Sequence, residues 1–350
     1  MVCQQIIRPL HRETPLQVSQ EMTDLLGCPV MMKMENLQLA GSYKMRGIGN
    51  RCQMALLRGA ERFVGASGGN AGVALARAAR ILNVPATVYV PVTASPMVIK
   101  KLQQDGAVVR MVGNNFSEAA RAAQHEVDEP RIPFIHAYDH PDIWEGHTSL
   151  VQELVYSCPK PSCIITAVGG GGLLTGILMG LKEYGWTDVP IVAMETEGAH
   201  CFNLSMHANK KITLSQISSI AVTLGAASVC DELMRLKDDF KIYSRVITDK
   251  QAVESCIQFA DSERLVVEPA CGAALSAIYC GVVTDLANQG YVDLSSGPAV
   301  LVVCGGSGVS LEQLQMWDRD FGINYYAPSA PETIVGTLKE QQRRSEFIKM

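Results

Sequence analysis

The chain has 350 residues, 47% of them hydrophobic and 19% charged, a composition and length that suit a soluble protein with a sizeable core and two domains. The 30 Lys and Arg against 35 Asp and Glu leave a formal charge of −5 without any basic run, which argues against nucleic-acid binding. Eleven cysteines without CxxC pairing, no apolar signal core at the start and no uninterrupted apolar stretch of about 18 residues point to a reducing cytoplasm, and away from a secreted disulfide framework or a membrane span.

Along the chain, apolar β-branched runs alternate with longer segments of helical spacing. A strand over 30–35 precedes a helix over 44–58, and a strand over 63–66 precedes a helix over 70–83. Strands over 87–90 and 108–112 are followed by helices over 96–105 and 117–127. Next come a strand over 133–137, a helix over 142–156, a strand over 163–168, a helix over 172–184 and a strand over 191–195. An irregular helical middle fills 199–247; helices over 249–261 and 271–288, a strand over 299–304 and a helix over 310–320 close the pattern. Near-continuous apolar strands separated by helices imply βαβ units, hence an α/β fold of open, mostly parallel sheets flanked by helices. The pattern divides into a smaller domain over 40–138 and a larger one from 1–39 with 139–324. Residues 325–350 have poor apolar periodicity and read as a tail.

Three segments carry chemistry. In KMENLQLAGSYKMRG a strand ends near Glu35 and Lys44 falls in the first turn of a helix, with Ser42 as candidate N-cap. The positive end of the helix dipole disfavours the charged lysine. An amine that loses its proton easily can attack an aldehyde. A lone lysine is otherwise a solvated surface group. The run GASGGNAG (65–72) joins a strand to a helix beginning near Asn70, and its backbone amides, with Ser67 and Asn70, form an anion nest. The run VGGGGLLTG (168–176) has four consecutive glycines, more than a turn alone needs, and suits a phosphate held by amide dipoles. Its glycines do not fit G-x-G-x-x-G/A spacing, so the dinucleotide reading fails. His136, His140 and His147 lack metal spacing and read as structural. Glu268 reads as a helix cap, Lys100–Lys101 as a solvated face and Glu195 as a strand-end carboxylate.

PLHRETPL, GSYKMRGIGN, SGGNAG, IWEGH, AVGGGGLLTG, AMETEGAHCFN, VEPACGAAL and VVCGGSG occur in that order over roughly residues 9–320. Together they resemble the fold-type-II pyridoxal-phosphate enzymes, the tryptophan-synthase-β-like family, and within it the L-serine/L-threonine dehydratase and serine dehydratase-like branch. The resemblance implies that Lys44 carries the cofactor as a Schiff base and later serves as base at Cα. Tyr43, where the family often has Phe, would stack on the pyridine ring, and Asn70 would bond the ring hydroxyl. Ser67, Gly68, Gly69 and Asn70 would hold the substrate carboxylate; Gly169, Gly170, Gly171 and Gly172 would hold the phosphate. Cys304 would face the ring nitrogen, and a monovalent cation, K⁺, would take oxygens around Gly169, Glu195, Ala199 and Leu224. A homodimer is implied as well.

The implied reaction is β-elimination of an amino acid: L-serine to pyruvate and ammonia, L-threonine to 2-oxobutyrate and ammonia. A thiol is a neutral, weak partner for a ring nitrogen, which favours prompt elimination over transamination. Cys304 would also suit a buried core position. Racemases of the family carry serine where this chain has Gly68, and glycine supplies no base on the face opposite Lys44. A racemase or β-replacing synthase of the same fold, and a pyridoxal-phosphate-binding paralogue of low turnover with a regulatory role, are the alternatives.

Overall fold

The computed structural model describes residues 8–325; the tail expectation for 325–350 therefore falls outside them save for its first residue. In chain order the elements are β1 (Leu16–Ser19), α1 (Gln20–Leu26), β2 (Val30–Lys33), α2 (Lys44–Leu57), β3 (Phe63–Ala66), α3 (Asn70–Leu82), β4 (Ala86–Val90), α4 (Pro96–Gln104), β5 (Val108–Met111), α5 (Phe116–Gln124), β6 (Phe134–Ile135) and α6 (Pro141–Ser157). They continue with β7 (Cys163–Ala167), α7 (Gly172–Glu183), β8 (Ile191–Thr196), α8 (Cys201–Ala208), α9 (Asp231–Leu236), β9 (Ile242–Ile247), α10 (Asp249–Glu263), α11 (Pro269–Tyr279), α12 (Val282–Asn288), β10 (Ala299–Val302) and α13 (Leu311–Asp320).

Two sheets result. One has six strands in the order β1-β2-β10-β7-β8-β9, the other four in the order β5-β4-β3-β6. Every pairing is parallel except β1 with β2. β3, β4, β7, β8 and β10 are buried at every position, as strands covered by helices on both faces must be. β5, at a sheet edge, is largely exposed. Each sheet has its own apolar core: one around Ile164, Val192, Leu178 and Leu275, the other around Phe63, Leu75, Val88 and Leu102.

Besides β1 and α1, which the sequence reading did not include, two features depart from it. β9 lies inside the region expected to be irregular and helical, because Tyr243 and Arg245 interrupt its apolar pattern. The expected helix over 271–288 is two helices, α11 and α12, broken where Gly281 takes φ 73°. The stretch Pro269–Asn288, though interrupted by Ser276, Thr284 and Asp285, is by length and composition apolar enough to cross a membrane, with a mean hydropathy of 1.5. Its best window is 61% buried within the protein, and α11 packs against α10, β7 and β8 as a core helix.

Candidate active site

A cavity of about 480 Å³ lies where the two sheets face each other, at the C-terminal ends of β3, β7 and β10. Ligand sites of open α/β sheets form at such strand ends. Lys44, Tyr43, Ser67, Gly68, Gly69, Asn70, Gly169, Gly170, Gly171, Gly172, Leu224 and Cys304 all line it. Residues 260 apart in sequence thus converge on one space.

Lys44 opens α2. Ser42 does not cap this helix as expected: Tyr43 already has helical φ −52° and ψ −22° and occupies the N-cap position. Ser42 stands one residue too early to reach the first amides, and its buried Oγ has no hydrogen-bond partner among the described residues. Lys44 Nζ donates to Ala137 O at 2.7 Å and sits 5.1 Å from the centre of the Tyr43 ring. Enclosure brings its pKa down from 10.5 to about 8, against the opposing pull of Cys304 and Glu268. Burial is the leading cause, where the sequence had suggested the helix dipole.

The first glycine loop leads from β3 into α3. Gly69 N donates to Ser67 Oγ at 3.2 Å, and no side chain caps α3. A Cβ on Gly72 would lie 2.3 Å from Ser67 O, so only glycine permits this approach of loop and helix. The second loop leads from β7 into α7. Gly171 has φ 85°, and Cβ atoms on Gly170 and Gly172 would lie 2.5 Å from the Tyr138 ring and Tyr138 O respectively. No side chain caps α7, and the amides of Gly169, Gly170, Gly171 and Gly172 donate to no group among the described residues. Orphan amides at a helix start form an anion site.

Cys304 follows β10. Its carbonyl accepts from Tyr43 N at 3.2 Å, tying it to the residue beside Lys44. The Cys271 thiol and then burial push its own thiol well above the ordinary value, so it is a neutral S–H. It is both core cysteine and cavity wall.

Of the four residues expected around a cation, Gly169 and Leu224 meet at the cavity: a Cβ on Gly169 would lie 3.0 Å from Leu224 O. Glu195 and Ala199 are fully buried but are not part of the cavity lining. Glu195 is not an exposed strand-end carboxylate. Its oxygens accept from Phe202 N at 2.9 Å and Asn203 N at 2.6 Å, and burial raises its pKa to about 8.

The histidines are structural in their contacts. His140 Nδ1 accepts from Asp142 N at 3.1 Å at the start of α6, and His136 Nδ1 accepts from Asp139 N at 2.8 Å. His147 is buried 5.3 Å from the Tyr43 ring. No cluster of three or more metal-ligating side chains occurs among the described residues.

Sequence reasoning missed Glu268 and Lys101. Glu268 stands at the N-cap position of α11, yet its side chain makes no capping hydrogen bond. It turns into the cavity and accepts from Asn70 Nδ2 at 2.5 Å and Thr223 Oγ1 at 2.6 Å. Lys101 is not a purely solvated group; its Nζ donates across the cleft to Ser307 O. In VEPACG the proline after Glu268 signals a helix start and hides the residue's other use.

The family described as pyridoxal-phosphate dependent enzyme matches residues 7–305. A mouse (Mus musculus) L-serine dehydratase/L-threonine deaminase is 45% identical over 317 residues, covering 90% of this chain and 97% of the relative. A mouse serine dehydratase-like protein is 44% identical over 308 residues, covering 88% and 94%. The crystal structure of a fungal L-serine ammonia-lyase from Rhizomucor miehei superposes with a TM-score of 0.84 at 33% identity, covering 90% of this chain and all of that one.

Proposed function

Because the chain belongs to the pyridoxal-phosphate-dependent enzymes, we propose that it is an ammonia-lyase that eliminates water from L-serine and L-threonine, giving pyruvate or 2-oxobutyrate with ammonia. The observation that carries this reading is the convergence of a lowered-pKa lysine, two uncapped glycine loops and a neutral thiol on one cavity. The donor set fits the cofactor: an amine for its aldehyde, orphan amides for its phosphate and an S–H for its ring nitrogen. Pyridoxal phosphate, when bound, supplies the electron sink that makes the amino acid's Cα–H acidic.

The protein's own groups do the rest. Lys44 would hold the cofactor, and its Nζ, neutral above about pH 8, would take the proton from Cα. Gly169, Gly170, Gly171 and Gly172 would hold the phosphate with backbone amides. Ser67, Gly68, Gly69 and Asn70 would orient the substrate carboxylate at the start of α3, fixing the plane in which the Cα–H bond is broken. Tyr43 would cover one ring face. Gly68, which the resemblance places opposite Lys44, would offer no side chain to donate or accept a proton, which favours elimination over racemisation. Cys304 offers the ring nitrogen no charge.

The test is purified protein mixed with pyridoxal phosphate. A visible absorption band should appear, L-serine should perturb it, and pyruvate should be released; Lys44→Ala should abolish both responses. A chain that gives no such band overturns the reading.

A monovalent cation, K⁺, is proposed at oxygens around Gly169, Glu195, Ala199 and Leu224. Its support is a Glu195 carboxylate 0% exposed that no lysine or arginine among the described residues balances. Exchange of K⁺ for Li⁺ should lower activity reversibly. We also propose a homodimeric assembly, which sedimentation should report as twice the chain mass. A cytoplasmic setting is supported by ten free cysteines among the described residues.

A further inference from the structure

Glu268 is a buried ionisable group at the cavity that the mechanism above leaves without a task. It is 5% exposed and lines the cavity wall on the six-stranded-sheet side. Its partner Asn70, 7% exposed, opens α3 on the other side. The contact therefore crosses the cleft.

The geometry fixes more than proximity. Asn70 Nδ2 donates to Glu268 Oε1 at 2.5 Å, while Asn70 Oδ1 accepts from Ser307 N at 3.2 Å. A carboxylate oxygen only accepts here, and a backbone N–H only donates. Both neighbours therefore demand the same orientation of the Asn70 amide, nitrogen toward Glu268 and oxygen toward Ser307. Thr223 Oγ1 donates to the same Oε1 at 2.6 Å. With two donors on it, Oε1 stays an acceptor whether or not the other oxygen carries a proton. Burial pushes the Glu268 pKa up to about 7, opposed by Thr223, Asn70, the Gly308 amide and the Lys101 charge. Ser307 is held in turn by Lys101, whose Nζ donates to its carbonyl.

An amide nitrogen carries two hydrogens. One lies on Glu268, and the other is left for the cavity that Asn70 lines. We propose that Glu268 is a positioning residue: by accepting from Asn70 Nδ2, with the Ser307 N–H on Oδ1, it locks the amide so that an N–H, never the C=O, faces the ring oxygen of the cofactor. An N–H donor stabilises that oxygen in its deprotonated form, whereas a C=O would require it to be a hydroxyl. Glu268 thereby sets the protonation state of an atom it does not touch. The assignment deepens the cofactor reading above and rests on it.

The acceptor atom, not the charge, is what the lock needs, and this separates the inference from its rivals. Glu268→Gln keeps an amide oxygen for Asn70 and Thr223; Glu268→Met keeps the length and removes both oxygen acceptors, leaving only a weakly accepting thioether. The probe is pyridoxal phosphate added to each folded apoprotein, followed by absorption spectroscopy and titration of binding. Glu268→Met should lose visible absorption to a near-ultraviolet band and bind the cofactor roughly tenfold more weakly, the worth of about one hydrogen bond at 1.4 kcal/mol per decade. Glu268→Gln should retain the spectrum of the unaltered chain. An unchanged spectrum in Glu268→Met would make the contact a mere tie across the cleft and overturn the inference. Loss of the band in Glu268→Gln would assign the effect to charge and overturn it too, whether or not the Met variant folds. Absence of a visible band in the unaltered chain would instead sink the cofactor reading itself.

Discussion

Arg46 and Glu35 form a fully buried, two-point ion pair: Arg46 Nε and Nη2 each donate to a Glu35 carboxylate oxygen at 2.7 Å, and both side chains are 0% exposed. Arg46 lies two residues beyond Lys44. Arg46 Nη1 also reaches Glu153 on α6 at 2.6 Å, and Lys33 Nζ closes on Glu153 at 2.5 Å. Parallel paired bonds of this kind give geometric precision as well as energy. They bolt the first turn of α2 to the end of β2 and to α6. Arg46→Leu would strand Glu35 in a dry interior. The expected cost is about 3–5 kcal/mol, typical of breaking a buried pair from one side. Urea unfolding of the apoprotein measures it, and Arg46→Lys should recover only part, because an ammonium cannot make both bonds.

Lys44 should be chemically distinct from the other lysines. Its pKa is lowered to about 8, so the neutral amine becomes the major form above that pH rather than above 10.5. The rate of pyridoxal-phosphate attachment to apoprotein should rise through about pH 8 and level off above it. A rise continuing toward pH 10 would mean that enclosure does not depress this group. For stability the sign is fixed as well. The folded chain binds fewer protons than the unfolded one between about 8 and 10.5, so this group makes the apoprotein more stable as pH rises through that window.

At Gly68 a Cβ would lie 3.1 Å from the Ala94 Cβ and 3.5 Å from Pro91 Cδ. Gly68→Ser therefore fits only if the loop before α4 yields by a few tenths of an ångström. The new hydroxyl would be the side-chain proton carrier that the glycine cannot provide. D-serine should form from L-serine above the level of the unaltered chain, as chiral chromatography would show. Efficient D-serine formation by the unaltered chain would remove the dehydratase assignment.

The glycine loop between β7 and α7, proposed above to hold the phosphate, should tolerate no side chain at Gly170, where a Cβ would meet the Tyr138 ring at 2.5 Å. Gly170→Ala should weaken cofactor binding by about tenfold or more, since overpacking here costs on the order of 1–3 kcal/mol. Shrinking the opposing ring, as Tyr138→Leu in the same chain, should restore part of the affinity in equilibrium dialysis. No loss in Gly170→Ala would show that the loop and Tyr138 move apart freely.

Much of this was legible in the sequence because its signals are local. β3, α3, β7 and α7 announce themselves through apolar runs ending in glycine clusters, and the loops' places at helix starts follow from that order. Lys44 at the first position of α2 was readable for the same reason. The lost signals are non-local. β1 and β9 are short or partly polar, and their strand character comes from pairing with β2 and β8. Glu35 and Arg46 look like two ordinary surface charges until β2 and α2 bury them together. Glu268 was read as a cap because a residue before proline at a helix start usually is one. Only the approach of Asn70, 198 positions away, reveals its use.

Ala137 and Tyr138 belong to the strand of chain that leaves the four-stranded sheet after β6 and enters the other half at α6. Lys44 Nζ donates to the carbonyl of the first, and Gly170 and Gly172 pack closely on the second. The crossover thus acts as a gauge block between anchor and cradle. On the reading proposed above, its two residues would set the span that a cofactor fills, so a change in the spacing of the two sheets would alter that span.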